Sequence, residues 1–363
     1  MIEFEELLTR LHDECISLDD AKKSSDPEVI HGLTGKKNIE HIRKFQTIAA
    51  YLHRYPIEMI TTMEDAVSRV SDLKNRPLLG IDIETGKTED HPQAGLNPKI
   101  STIRLVQLFD GTNIYIFDCH QIGGVAWMDT LKSSTLVAHN MAFEAQHFHH
   151  AGIDFSNPEC TMLMGRVFFN RSLSLADAAR LFFDMEMDKA LQVSDWNREN
   201  LFPEQIKYAA LDAVIAYELH AEYMGVIKDD PKDATTYRFL MSLLYPLVRQ
   251  QAHGIEVDTE EHDKLINEWQ LRVDALKAAL HADGLNDPKS VKQIQAYLEG
   301  KLTDEEHDAW RKTKTGNLST DNAALTGATN HPTLGLLAEY TTLSARLANF
   351  GAKLQELLVD GIT

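Results

Sequence analysis

Cysteine is scarce: Cys15, Cys119 and Cys160 are widely spaced and odd in number, giving neither a disulfide framework nor a CxxC zinc pair. That usage fits a reducing compartment. Long apolar runs are missing as well, since none reaches ~18 residues. The opening MIEFEELLTRLHDEC places acids where a secretory signal would be basic and then apolar. The expectation is a soluble, cytoplasmic chain without a membrane span. Positive charge is also short: 36 Lys plus Arg against 55 Asp plus Glu leave a formal charge of −19. This argues against a protein held on nucleic acid mainly by a basic surface. No repeat or low-complexity tract is evident. What is present is 43% hydrophobic residues in a chain of 363, enough to core about two domains of ~150 residues.

Changes of pattern divide the chain. Residues 1–61 predict a helical N-terminal segment, from FEELLTRL and IEHIRKFQTIAAYLHRY, with Lys22/Lys23 and Lys36/Lys37 in polar connections. No chemistry attaches to it. LLGIDIE (78–84) reads as a buried strand, followed by a polar loop and by IRLVQLF and NIYIFD on either side of Asp110-Gly111. That order predicts an antiparallel meander. TLVAHN (135–140) is a fourth strand leading into the helical MAFEAQHFHHAG, and helices alternate with loops from about 161 to 225. Residues 62–228 are thus an α/β domain. After the acidic KDDPKD (228–233) the strand signal fades, and amphipathic segments over 236–252, 259–282 and 333–358 predict a mostly helical domain over 236–363.

Asp82 and Glu84 lie two apart on the predicted strand, so both leave one face while Ile81 and Ile83 leave the other. On a central strand such a pair is costly unless something cationic sits on it. Tyr208 and Asp212, at i and i+4 in EQIKYAALDAVIAYELH, stack on one helix face. Glu144 falls just inside a helix that follows a strand end, where α/β sheets commonly build sites. His147, His149 and His150 resemble a metal cluster, but their place on that same helix marks a surface or packing feature. Cys160 and the Met- and Phe-rich MLMGRVFF and LFFDMEM read as core.

Taken together, LLGIDIETG, LVAHNMAFE and YAALDA resemble the three motifs of the DEDD exonuclease superfamily, in the subclass with tyrosine in the third motif. RNase D and the proofreading domain of family-A DNA polymerases belong to that subclass. Lys189, followed by Ser194-Asp195-Trp196, adds a further match. The resemblance implies a ribonuclease H-like exonuclease fold, a mixed central sheet flanked by helices, covering about residues 62–225. It departs from the family at Glu144, where Asp is usual.

The resemblance also implies two divalent ions, Mg²⁺ or Mn²⁺, for which oxygen ligands suffice. Asp82 would bridge both, Glu84 and Asp212 would complete the inner site, and Glu144 would support the outer one. Tyr208, with a phenol pKa near ~10, stays neutral and orients the attacking water. Thr85, Gly86, His139 and Asn140 are the candidates for contact with the 3′ end of a strand.

LLYPLVRQQAHGIEVDTEEHDKLINEWQ, NDPKSVKQIQAYLEGKL, KTKTGNLSTDNAAL and LLAEYTTLSARLANFGAKLQELL resemble, in that order, the thumb of family-A polymerases. There Arg311, Lys312 and Lys314 supply phosphate-type donors. No palm or fingers motif follows VDGIT. The expectation is a DNA-directed 3′-5′ exonuclease, acting on a single-stranded 3′ end or primer-template in a bacterial or phage-infected cell. It would be a subunit of a split polymerase, a stand-alone relative or a fragment. Two alternatives remain open: an RNA-trimming enzyme of RNase D type, and a non-catalytic module docking a separate palm-and-fingers chain.

Overall fold

The computed structural model describes residues 51–185, 187, 194–227, 230–327, 331–359 and 361–362. The helices expected over 1–50, Cys15, the two Lys pairs and Lys189 lie outside the described residues. The chain divides into two compact units at His253/Gly254.

In the first unit the order is β1 (Ile57–Ile60), α1 (Met63–Leu73), β2 (Leu79–Lys87), β3 (Ser101–Phe109), β4 (Ile114–Asp118) and α2 (Cys119–Ile122). A 3₁₀ turn (Ala126–Leu131), β5 (Thr135–Ala138), α3 (Ala142–His150), β6 (Asn157–Cys160), α4 (Thr161–Phe169) and α5 (Leu175–Phe183) follow. The long α6 (Pro203–Ile227), α7 (Pro231–Ser242) and α8 (Leu244–His253) complete it. The strands form one mixed sheet ordered β1-β4-β3-β2-β5-β6. β2, β3 and β4 are the expected antiparallel meander. β5 runs parallel to β2, and β6 parallel to β5. The expected helical segment up to 61 is corrected at its end: Ile57–Ile60 is a strand, parallel to β4 at the sheet edge. Four residues are too few to show a period of two.

The two faces of the sheet carry separate cores. Ile81 and Ile83 of β2 join Val106, Leu108, Tyr115 and Phe117 under α1, α3 and α8. Leu105, Phe109, Ile114 and Ile116 pack on the other face against α4, α5 and α6. The central position expected for β2 is therefore observed, and its alternation sorts apolar residues from carboxylates. KDDPKD does not separate the domains where sequence suggested. Asp230 caps α7 through the N–H groups of Lys232 and Asp233, Pro231 occupies its first turn, and Leu244 and Val248 of α8 are core residues of the first unit.

α6 is rich in small buried residues, Ala209, Ala210, Ala213 and Ala216, and its backbone at Ala213 comes close to β2. Gly80 completes the fit, since a Cβ there would stand 2.3 Å from the Ala213 carbonyl oxygen and 2.9 Å from the Tyr217 Cβ. Arg104 and Asp118 form an ion pair that is almost wholly buried. Arg104 also donates to the carbonyls of Arg198 (3.4 Å) and Glu199 (3.3 Å), tying down the segment that leads into α6. His139, just after β5, bonds Thr161 Oγ1 through Nδ1 (2.9 Å) and the Leu173 carbonyl through Nε2 (3.1 Å). Burial lowers its pKa to about 4.

The second unit is helical: α9 (Thr259–Ala282), α10 (Val291–Lys301), α11 (Asp304–Ala309), α12 (Asn322–Thr326), α13 (Pro332–Phe350) and α14 (Ala352–Gln355). Leu276, Leu280, Leu298, Leu334 and Leu337 centre its core. Arg272 on α9 clamps Glu339 on α13 in a bidentate pair of 2.7 Å bonds.

Two outcomes test this scaffold. In Gly80→Ala the methyl meets backbone that cannot give, so urea unfolding should show a loss of about 1–3 kcal/mol. A folded-state His pKa below the unfolded ~6.5 means stability present above pH ~6.5 and lost as pH falls toward ~4, by up to about 3 kcal/mol. His139→Gln should flatten that part of the pH–stability curve.

Candidate active site

β2, α3 and α6 converge on four carboxylates. Asp82 and Glu84 leave the α6-facing side of β2 and are partly buried. Between Glu84 and Thr85 the pairing with β3 shifts register, an irregularity that re-aims the strand beside the acidic pair. Asp212 comes from the middle of α6 and is 8% exposed. Glu144, 2% exposed, is in the first turn of α3, where the helix dipole favours negative charge. That helix follows Asn140, whose φ of 76° is left-handed, a conformation asparagine tolerates better than most residues.

Ligand oxygens from Asp82, Glu84 and Asp212 lie within 4.8 Å of one another. Among the described residues this is the only such acidic or His/Cys cluster, and none of the four carboxylates forms an ion pair. Burial and then the charges of Asp212, Glu144 and Glu84 push the Asp82 pKa well up. Burial followed by Asp212 and Glu144 does the same to Glu84. Burial raises Glu144 to about 8 and Asp212 to about 7. The Tyr208 hydroxyl faces Asp212; burial, then the charges of Asp212, Glu84 and Asp82, raise its pKa. The phenol stays protonated, fit to orient a water but not to remove its proton.

The donor set fits hard divalent cations. It is all oxygen, and Glu144 Oε2 and Asp212 Oδ1 are buried without a hydrogen-bond partner in the protein. Like charges crowded out of water are tolerable once a cation lies among them.

The remaining expected residues fall in several places. Thr85 donates from Oγ1 to the Gly95 carbonyl (2.6 Å), and Gly86 is packed against Asn197. His139 has both ring nitrogens engaged within the fold, whereas Asn140 is exposed. Ser194 accepts from Gln205, Asp195 from the Asn197 N–H, and Trp196 is buried. His147 is a packing residue, bonded to Ser101 Oγ (3.0 Å) and the Phe143 carbonyl (3.0 Å). A cavity of about 710 Å³ is lined by Ser101, Arg104, His120, His147 and His150 among others, and by none of the carboxylates. In the second unit Lys312 and Leu318 bridge the two sides of a turn that exposes Lys312 and Lys314, while Arg311 pairs with Asp321 at 3.0 Å. Two contributors escaped the sequence reading. Gly80 sets the approach of α6, and Gln107 is the cross-strand partner of Asp82.

Comparison with known proteins bears on this geometry. A family model described as 3′-5′ exonuclease matches residues 57–226. DNA polymerase I of Aquifex aeolicus (strain VF5) is 26% identical over 322 residues, covering 84% of this chain and 53% of that protein. The chain therefore spans about half the length of this relative. Exonuclease mut-7 of Caenorhabditis elegans is 36% identical over 64 residues, 18% of this chain and 7% of that one. The solved POL domain of Pol1 from M. smegmatis, in complex with DNA primer-template and dNTP, has a TM-score of 0.64 at 17% identity, covering 84% of this chain and 51% of its own. Residues 57–226 thus match the 3′-5′ exonuclease family model, and over 84% of its length the chain is similar to DNA polymerase I in sequence and to the Pol1 POL domain in fold.

Proposed function

We propose that the chain is a cation-dependent 3′-5′ exonuclease that trims DNA ends and releases nucleoside monophosphates. The observation that carries this reading is the convergence of Asp82, Glu84, Glu144 and Asp212 on one buried space with Tyr208 beside it. Asp82, Glu84 and Asp212 would hold one divalent ion, with Asp82 shared and Glu144 supporting a second. When bound, such a pair supplies the acidity that generates the nucleophile and the charge that stabilises the leaving 3′-oxygen.

The chain's own groups do the rest. Tyr208, neutral and next to Asp212, orients the attacking water. Backbone at Thr85 and Gly86 and the exposed Asn140 border the place for a terminal nucleotide. Glu144, one methylene longer than the usual Asp, keeps a carboxylate at its position. The second unit, by its likeness to a polymerase thumb, adds backbone contacts through the Lys312–Lys314 turn. A partner chain with palm and fingers would make the pair a proofreading polymerase.

Full-length protein given a 5′-labelled oligonucleotide with Mg²⁺ or Mn²⁺ should yield a ladder of shortened products, abolished by EDTA. Asp82→Ala should slow it by roughly 10²-fold or more, beyond the ~10–100-fold cost of losing an outer-shell partner. No cation-dependent shortening, or equal rates in wild type and Asp82→Ala, refutes the proposal. A matched RNA strand separates the substrate classes, since the 2′-OH is what such a site can sense; faster RNA trimming would favour the RNase D-like reading.

A further inference from the structure

Gln107 is fully buried in the middle of β3, and neither its Oε1 nor its Nε2 has a hydrogen-bond partner in the protein. Buried amides are rarely left so, because the desolvation of both halves goes uncompensated. Packing alone does not call for glutamine there. The residues two positions away on the same face of the strand, Leu105 and Phe109, are apolar, as is its β4 partner Ile116.

Register supplies the reason. Gln107 is directly opposite Asp82 across the antiparallel β2–β3 pair. Opposed residues of such a pair leave the same face with Cβ atoms ~4.5–5.5 Å apart. The amide therefore stands next to the carboxylate assigned to both cations, on the side away from β5. Leu105, opposite Glu84, offers that second carboxylate nothing comparable.

We propose that Gln107 is a positioning residue of the cation site: its Nε2, unpartnered in this structure, would donate to the Asp82 carboxylate once a divalent ion is bound and hold it in the orientation that receives the ion. Asp82, drawn from a strand without a nearby basic partner, otherwise has no protein group to fix it among the described residues. The inference rests on the cation-site reading above and sharpens it, because it says which group organises the shared ligand.

The test is Mn²⁺ binding to the full chain without nucleic acid, followed by the electron paramagnetic resonance of free Mn²⁺, together with thermal unfolding in EDTA. Gln107→Met replaces the amide by an apolar chain of similar length. It should melt no lower than wild type in EDTA yet bind Mn²⁺ roughly 10-fold or more weakly, the usual scale for an outer-shell partner. Gln107→Asn keeps an amide drawn back by one methylene and should weaken binding in the same direction. Affinity of Gln107→Met within about twofold of wild type overturns the role of Gln107, since an outer-shell partner should cost more. Affinity lost only in step with melting temperature in both variants also overturns it, as a packing effect. Wild-type protein that binds no Mn²⁺ instead overturns the cation-site reading itself.

Discussion

Four carboxylates share one space from which water is largely withdrawn, and the architecture of the first unit follows from keeping them there. Burial opposes their ionisation, raising Glu144 to about 8 and Asp212 to about 7, and the charges of their neighbours push Asp82 and Glu84 up further. Such a cluster is not a source of stability. It persists because rigid elements supply its members independently: two from a central strand, one from a helix start and one from the middle of a long helix. The cost is borne by apolar cores on both faces of the sheet.

Closeness of α6 to β2 is the second constraint, and small residues meet it. With Gly80 on the strand and alanines on the helix, Asp212 is brought level with Asp82 and Glu84. The buried Arg104–Asp118 pair serves the same end from a distance. Arg104 also donates to the Arg198 and Glu199 carbonyls, so the segment before α6 is fixed to β3. Breaking one partner of such a pair leaves a buried charge alone, which makes it a determinant of geometry more than of net stability.

The carboxylates were legible in the sequence because strand and helix periods decide which residues share a face. Asp82 with Glu84, and Tyr208 with Asp212, needed only spacings of two and four. Glu144 needed the strand before it and the helix after it. What was not legible depends on tertiary register. Nothing in LVQLF says that Gln107 opposes Asp82, and nothing in LLG says that Gly80 must admit the Ala213 carbonyl. IEMI was too short to announce β1, and Asp230 and Pro231 of KDDPKD, read as a boundary, are the cap and first turn of a helix. His139 had a motif's position but is occupied by Thr161 and Leu173.

A formal charge of −19 argued against a nucleic-acid partner, yet several of those acids form a cluster, the one such group among the described residues, where a divalent cation would reverse the local sign. Affinity for a strand would then rest on the ions and on a few exposed lysines, and would fall with salt. The central claim is that this cluster is a cation site. Crystals soaked in Mn²⁺ and measured at the manganese absorption edge test it directly. The account predicts anomalous density between Asp82, Glu84 and Asp212, with ligand oxygens ~2 Å away. Density elsewhere alone, or none at saturating Mn²⁺, would contradict it.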